Sequence, residues 1–302
     1  FIAGNYSQCL KGNTFTFFDS SGAVAGSLDS IRWNFSDGTI QKASAGTNQK
    51  YTFQTARNYK VRLIAYNSFA CQDSTERTLV VRANPTADFD INSNSQCLNT
   101  NAFELTNNSQ PNNGNGSMSY SWEFGDSSYS SSRNVTKKYK YDGGKSIRLI
   151  SSNSDGCSDT IEKLVTVRSM PKADFTINTV SQCVNQNSYN YSDVSTIKLG
   201  GGTLSRIWNL GDGSVSNQKN ITNKTYSAAQ NFNIQLINRS NFGCADTLIK
   251  TISVLPKPNV SFTVNQDTQC LVNNNYAFNN QTSIVTGGGT LSYQWAYGDG
   301  NT

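Results

Sequence analysis

The chain has 302 residues, a net charge of +5 and no histidine. The lack of histidine excludes Ser-His-Asp and Cys-His catalysis, His-ligated zinc and histidine pH switching from this segment. Only 15% of the residues are charged and 36% are hydrophobic, against about 25% and 45–50% for an average globular domain. The remainder is rich in Asn, Ser and Thr, which is typical of an all-β surface protein with polar loops.

Positive charge is spread thinly, and the longest basic run is the pair Lys137-Lys138. A nucleic-acid partner would require a concentrated basic patch, so nucleic acid is excluded as a partner. No apolar stretch approaches the ~18–20 residues of a membrane span. The first five residues also lack the basic and apolar regions of a signal peptide. We expect no membrane insertion in this segment, and any export signal to lie outside it.

A three-residue phrase, Ser/Thr-Gln-Cys, recurs along the chain at Cys9, Cys97, Cys183 and Cys270. A tryptophan follows each of these cysteines, and a second cysteine closes each complete unit, at Cys71, Cys157 and Cys244. The period is longer than that of solenoid repeats, which cannot bury their apolar faces alone, so it indicates self-contained tandem domains. We predict four repeats, at 1–85, 86–171, 172–257 and 258–302, of which the fourth is truncated.

Within each repeat, short runs alternate apolar and polar residues, as at Ile147/Leu149 in the second repeat. Period-two alternation between Gly, Asn, Ser and Asp predicts about seven half-buried antiparallel strands per repeat. A domain of this size most simply forms a two-sheet sandwich. Prolines lie between the repeats, at Pro85, Pro171 and Pro256/Pro258, and predict short, stiff linkers.

Around the tryptophans the four repeats read WNFSDG, WEFGDS, WNLGDG and WAYGDG. These segments resemble the W-x-F-G-D-G signature of the polycystic kidney disease (PKD) domain. The resemblance covers essentially the whole chain and implies an immunoglobulin-like β-sandwich for each repeat. The tyrosine of the family's next conserved stretch is matched by Tyr51, Tyr139 and Tyr226. Ser36 and Ser127 replace glycines of the signature, which leaves the geometry of those two turns open.

The signature predicts core anchors at Trp33, Trp122, Trp208 and Trp295. It predicts hairpin-turn residues at Asp37, Asp126, Asp212 and Asp299, because aspartate and glycine suit tight turns. The alternative role for these aspartates is calcium binding. One carboxylate per repeat falls short of the six or more oxygen ligands that calcium requires, so the turn role is favoured and no cofactor or metal is expected.

Seven cysteines without a C-x-x-C motif predict disulfides in an oxidising compartment rather than a metal site. Pairing within repeats would give Cys9–Cys71, Cys97–Cys157 and Cys183–Cys244. Pairing between repeats would give Cys9–Cys157 and Cys97–Cys244, with Cys71, Cys183 and Cys270 bonded to units outside the chain. In the sandwich topology the two cysteines of one repeat lie ~25–30 Å apart, whereas a disulfide needs Cα atoms within about 7 Å. This favours pairing between repeats, and both patterns remain open.

A tripeptide of Asp, then Ser or Thr, then an aliphatic residue or Thr resembles the O-glycosylation sequon of Bacteroidota. The candidate acceptors are Ser30, Ser74, Thr160 and Thr247. The alternative is a strand start with a local aspartate hydrogen bond. The Asn-x-Ser/Thr triplets at Asn34, Asn134 and Asn220 are explained by the abundance of asparagine.

The Asn/Ser-Asp-Gly-Cys-x-Asp-Thr arrangement before the last strand is similar to PKD units of very large secreted Bacteroidota proteins. These include gliding-motility adhesins exported by the type IX system, and the resemblance implies a cell-surface filament. We expect a non-enzymatic stalk segment that extends an adhesive tip, because no nucleophile–base pair, phosphate loop or paired carboxylates recur. Neighbouring repeats, surface polysaccharide and other surface proteins are the expected partners. The alternative is a spacer or carbohydrate-binding array of a secreted hydrolase.

Overall fold

The computed structural model describes residues 1–112, 116–285 and 289–301, and all of its regular structure is β-strand. The chain divides into two compact units, Phe1–Gln96 with Thr100–Val167 and Cys97–Asn99 with Arg168–Thr302. Among the described residues there is no helix long and apolar enough to span a membrane.

The first repeat has eight strands: β1 (Ile2–Ala3), β2 (Ser7–Cys9), β3 (Phe15–Phe18), β4 (Leu28–Phe35), β5 (Ile40–Ser44), β6 (Gln49–Tyr51), β7 (Asn58–Asn67) and β8 (Gln72–Arg82). They form a three-stranded sheet in the order β1-β3-β6 and a five-stranded sheet in the order β2-β8-β7-β4-β5. The buried residues of both sheets form one apolar cluster, as in a sandwich.

The next two repeats follow the same plan. The second has β9 (Phe89–Ile91), β10 (Ser95–Cys97), β11 (Phe103–Asn107), β12 (Met118–Glu123), β13 (Tyr129–Ser130), β14 (Val135–Lys137), β15 (Gly143–Asn153) and β16 (Ser158–Arg168). The third has β17 (Phe175–Ile177), β18 (Ser181–Cys183), β19 (Tyr189–Asp193), β20 (Leu204–Asn209), β21 (Val215–Ser216), β22 (Asn220–Lys224), β23 (Asn231–Ser240) and β24 (Ala245–Leu255). Their sheets are β14-β11-β9 with β10-β16-β15-β12-β13, and β17-β19-β22 with β18-β24-β23-β20-β21. Beyond them, β25 (Phe262–Val264) pairs with β26 (Phe278–Asn280).

Each complete repeat has eight strands where the sequence predicts about seven, because the first strand is divided between the two sheets. In the first repeat, β1 pairs antiparallel with β3, whereas β2 pairs parallel with β8. The chain therefore changes sheets just before the Ser-Gln-Cys phrase.

The glutamine of that phrase holds the loop that follows it. Gln8 Nε2 donates to the Thr14 carbonyl at 2.9 Å, and Gln8 Oε1 accepts the Thr14 N–H at 2.9 Å. The same two bonds recur at Gln96 with Ala102, at Gln182 with Ser188 and at Gln269 with Asn275. The glutamine thus replaces a backbone partner for the loop, which explains its place beside the cysteine.

A tryptophan lies at the centre of each complete core. Trp33, Trp122 and Trp208 have no exposed surface. Each contacts a phenylalanine at the start of its repeat edge to face, with ring centroids 5.0–5.1 Å apart, at Phe1, Phe89 and Phe175. Trp295 keeps this arrangement with Phe262 at 5.4 Å, but it is only half-buried.

In each complete repeat, a buried asparagine bonds the residue opposite it just beyond one end of a ladder in the three-stranded sheet. In the second repeat, Asn101 Oδ1 accepts the Tyr139 N–H at 2.6 Å, and its Nδ2 donates to the Tyr139 carbonyl at 3.0 Å. Asn13 with Phe53 and Asn187 with Tyr226 form the same two bonds. These amides satisfy backbone groups that would otherwise be buried without partners.

Candidate functional site: the joint between the first two repeats

A disulfide links the first repeat to the second. Cys9 and Cys157 are bonded with Cα atoms 5.6 Å apart, and Cys97 and Cys244 are bonded with Cα atoms 5.5 Å apart. The structure thus forms the pairing between repeats rather than the pairing within them. The other three cysteines, Cys71, Cys183 and Cys270, are exposed free thiols.

Strand β8 explains why the two cysteines of the first repeat are not bonded to each other. Cys9 lies beside Arg82 at the end of β8 in the strand register, whereas Cys71 directly precedes the start of β8. At about 3.3 Å per residue, these 11 residues separate the two ends by ~35 Å. The two cysteines are therefore too far apart to form a disulfide, which needs Cα atoms within about 7 Å.

The linker between these repeats is fixed on both sides by Asn84. Asn84 Oδ1 accepts the backbone N–H of Lys11 in the first repeat at 2.7 Å, and Asn84 Nδ2 donates to the Ser158 carbonyl of the second at 2.8 Å. Pro85, the next residue, is buried. The linker is therefore part of the packed joint.

Two basic residues of the first repeat contact the β15–β16 hairpin of the second. Arg82 Nη1 donates to the Asp155 carbonyl at 2.8 Å, and Lys11 Nζ lies 3.0 Å from Asp159 Oδ1. Asp159 Oδ2 also accepts the Ala87 N–H at 3.0 Å. Burial alone would raise the pKa of Asp159, but the bonds from Ala87 and Lys11 outweigh it and lower the pKa.

Two of the candidate glycan acceptors lie at exposed positions. Thr160 and Thr247 are exposed, whereas Ser30 and Ser74 are half-buried. The hydroxyl of Ser74 already accepts hydrogen bonds from Arg62 Nε and Nη2, at 3.1 and 2.8 Å. Glycosylation at these residues remains a prediction.

The aspartate of the tryptophan motif closes a turn in each repeat. Asp126 Oδ1 accepts the Ser128 N–H at 3.2 Å, and its Oδ2 lies 2.7 Å from Lys137 Nζ. Asp212 does the same with Ser214 and Lys224, at 3.0 and 2.5 Å. Asp37 and Asp299 also accept the N–H two residues later, at 3.0 and 2.9 Å. The Asp126 and Asp212 carboxylates thus use both oxygens within their own repeat.

Burial by itself would raise the pKa of Asp212, because it disfavours the charged carboxylate. Hydrogen bonds from Lys224 and Ser214 outweigh this effect and lower the pKa to about 2. Across the core, burial raises the pKa of Tyr226 to about 12, and the Tyr226 hydroxyl donates to the Leu210 carbonyl at 2.9 Å.

The alignment of Tyr51 with Tyr139 and Tyr226 is wrong by two residues. Tyr51 donates its hydroxyl to Asp37 Oδ2 at 2.7 Å, which is the role that Lys137 and Lys224 have in the next repeats. The true counterpart of Tyr139 is Phe53, which is bonded by the equivalent asparagine. An aromatic residue at both positions in the first repeat conceals this register from a motif search.

The two serines at glycine positions of the signature behave differently. Ser127 adopts φ 65°, the left-handed conformation that Gly38 and Gly213 adopt in the other repeats. Ser36 instead uses its hydroxyl to accept the Lys60 N–H at 2.9 Å. At the same position in the second repeat, a Cβ on Gly125 would lie 2.9 Å from the Ser146 carbonyl oxygen.

Sequence reasoning missed most of the polar groups that build the joint. Lys11, Arg82 and Asn84 have no shared motif, and only the fold brings them to the second repeat. The glutamine of the Ser/Thr-Gln-Cys phrase did carry a signal, because it recurs beside all four cysteines.

The strand order, the tryptophan core and the disulfide-linked sandwiches define a tandem protein of immunoglobulin-like class. The family model of the PKD domain matches residues 3–81 and 82–168, which together make up more than half of the chain. The chain therefore belongs to the PKD domain family. No curated protein matches its sequence.

The chain is similar to solved structures from bacteria and from a bacteriophage. The PKD1 domain of Vibrio anguillarum Epp is 24% identical, covers 28% of this chain and 93% of that domain, and has a TM-score of 0.24. Three N-terminal domains of the bacteriophage RB49 Hoc capsid protein are 14% identical. The match covers 80% of this chain and 92% of that chain, with a TM-score of 0.38. A segment of a 1.5-MDa bacterial ice-binding adhesin is 9% identical. The match covers 84% of this chain and 94% of that chain, with a TM-score of 0.31.

Proposed function

We propose that this chain is a spacer segment of an extracellular adhesin, in which clamped PKD sandwiches hold an adhesive tip away from the cell. The joint between the first two repeats carries the proposal. There the Cys9–Cys157 bond lies beside the linker, since Cys9 is the strand partner of Arg82. Two adjacent covalent connections oppose twisting, whereas a single linker with modest contacts leaves domain motion as the default.

The chemistry of the chain supports an extracellular, non-catalytic role. Disulfides persist in oxidising compartments and are rare in the cytosol. The recurring polar groups, such as Gln8, Asn101 and Asp212, are bonded to groups of their own repeats, so they serve the fold. The resemblance to type IX-exported Bacteroidota adhesins gives the proposal its finer form, a filament for surface attachment or gliding.

The test compares the oxidised chain with a Cys9→Ser/Cys157→Ser double variant. The bond closes a segment of 148 residues, worth ~5 kcal/mol in the chain-entropy model. In the double variant we expect a broader distribution of angles between the first two sandwiches in electron micrographs and X-ray scattering. Circular dichroism should keep its β signature, because Cys9 lies outside the buried core of the first repeat.

Cys71→Ser is the matched control, because it removes an exposed unpaired thiol and should leave the angles unchanged. An equally narrow distribution of angles in the double variant would refute the proposal that the Cys9–Cys157 bond stiffens the joint. Loss of the β signature would show that the bond serves folding instead of stiffness.

A further inference from the structure

The turn that carries Cys71 in the first repeat has the same geometry as the turn that carries Cys157 in the second. The Cys71 N–H donates to Asn67 Oδ1 at 3.0 Å, and the Asn67 N–H donates to the Cys71 carbonyl at 3.0 Å. For Cys157 and Asn153 the corresponding distances are 3.1 and 2.9 Å. The first repeat therefore presents Cys71 in the backbone frame that positions Cys157 for its disulfide.

The two turns differ in what covers them. Cys157 is 1% exposed because the end of the first repeat lies on it, with Cys9 bonded to its sulfur and Arg82 bonded to the neighbouring Asp155 carbonyl. Cys71 is exposed, and Phe69, at the position of Asp155, is 71% exposed.

The third repeat shows what an aromatic residue does at this position. Phe242 is the counterpart of Phe69, and the Arg168 guanidinium lies 3.8 Å from its ring centroid. The neighbouring Cys244 is bonded to Cys97. Cation–π contacts of this kind are favourable for arginine over an aromatic face. In both occupied turns, then, an arginine at the end of a last strand accompanies the incoming cysteine.

We propose that the Asn67–Cys71 turn is a docking socket for the Cys-bearing end of another PKD repeat of this type. The occupant supplies a cysteine from a Ser/Thr-Gln-Cys phrase and an arginine that lies on Phe69. This proposal rests on the proposed spacer function and adds an end-to-end partner for it. Cys71 and the incoming cysteine form the new S–S bond. A small-molecule disulfide such as oxidised glutathione accepts the two electrons and two protons and leaves as two thiols.

The second repeat provides an occupant of known chemistry, with Cys97 and Arg168. A second copy of residues 85–174 is added in front of Phe1 of the full chain, so that its Asp174 joins Phe1 as it joins Phe175 in the native sequence. The added copy carries Cys157→Ser to remove its unpaired turn cysteine. The chain is refolded in a glutathione redox buffer, alkylated with iodoacetamide and mapped without reduction.

We expect a peptide that joins Cys71 to the Cys97 of the added copy, together with loss of alkylation at Cys71. In the unextended chain Cys71 should be alkylated fully. Cys97→Ser in the added copy is the matched control and should restore alkylation at Cys71. In the extended chain, Phe69→Ala should lower the yield of the expected bond relative to pairs with Cys183 or Cys270.

Continued alkylation of Cys71 in the extended chain would overturn the proposal, as would preferred bonding to Cys183 or Cys270. An intact Cys9–Cys157 peptide in the same map shows that the sandwiches have folded. Its presence also separates failure of the socket from failure of the clamp on which the spacer function depends.

Discussion

The sandwich interiors and the joint between the first two repeats are held by different kinds of contact. Each complete interior repeats one plan, with a tryptophan against a phenylalanine and an asparagine bonded beyond one end of a ladder in the three-stranded sheet. The cystine between the first and second repeats recurs between the second and third, but the arginine beside it has different partners. Arg82 bonds a backbone carbonyl, whereas its counterpart Arg168 lies over a phenylalanine ring. The three complete repeats thus share these interior contacts, while the contacts of the arginine at the end of the last strand differ between the first and second repeats.

Among the non-covalent contacts, the comparison predicts that the largest loss of stability comes from an interior residue. Trp122→Ala should lower the free energy of unfolding of the second repeat by about 3–5 kcal/mol, because it leaves a large cavity in a closed core. Urea denaturation followed by circular dichroism measures the loss. Tyr129→Ala is the control, since Tyr129 is 70% exposed and its removal should have little effect. A loss below 1 kcal/mol for Trp122→Ala would contradict the tryptophan-centred core.

A second, smaller loss is expected from the buried amide. Asn101→Ala removes two hydrogen bonds to Tyr139 and leaves that residue's N–H and C=O without partners. Leaving a buried polar group unsatisfied costs about 1–3 kcal/mol, and we expect a total near 2–3 kcal/mol by the same denaturation assay. Amide hydrogen exchange at Tyr139 should accelerate. The exposed Asn99 provides the control, Asn99→Ala, and equal effects of the two variants would contradict a stabilising role for the Asn101–Tyr139 hydrogen bonds.

The Asp212–Lys224 pair should add an acid-sensitive contribution to the third repeat. The pKa of Asp212 is lowered from 3.8 to about 2, so folding is favoured by the ionised carboxylate. This stabilisation is complete above about pH 4 and is lost as the pH falls towards 2. Asp212→Asn should flatten that part of the stability profile, whereas Asp267→Asn, at an exposed site, should not. If the stability of Asp212→Asn falls between pH 4 and 2 as steeply as that of the parent chain, the Asp212–Lys224 pair does not cause the acid sensitivity.

The smallest effect is expected at the exposed ion pair of the joint. Lys11→Ala removes the contact with Asp159, but the lysine side chain is 70% exposed, and such pairs contribute about 0–1 kcal/mol. Thermal unfolding should shift no more than for Lys42→Ala, another exposed lysine. The inter-repeat angle should also remain narrow, because the cystine and Asn84 persist. A broad angle distribution would show that the ion pair, rather than the covalent bond, holds the joint.

The fold could be predicted from the sequence because the strongest signals in the sequence are local or periodic. The recurring Trp122-type motif, the two-residue alternation and the spacing of Cys9 and Cys97 are visible without knowledge of neighbours in space. Strand length also favoured disulfides between repeats over disulfides within them, since an extended strand such as β8 keeps its ends far apart. These features determined the all-β class, the tandem sandwiches and the preference for bonds between repeats.

Only the tertiary structure decided which side chains meet across distant segments. The Asn101–Tyr139 bonds span 38 residues, and the Asn84–Ser158 bond spans 74. Such contacts depend on which strands become neighbours and on their register. The exchange of Tyr51 for Lys137 beside the turn aspartate was hidden for the same reason. A side chain's partner is fixed by three-dimensional packing, and sequence spacing alone does not specify it.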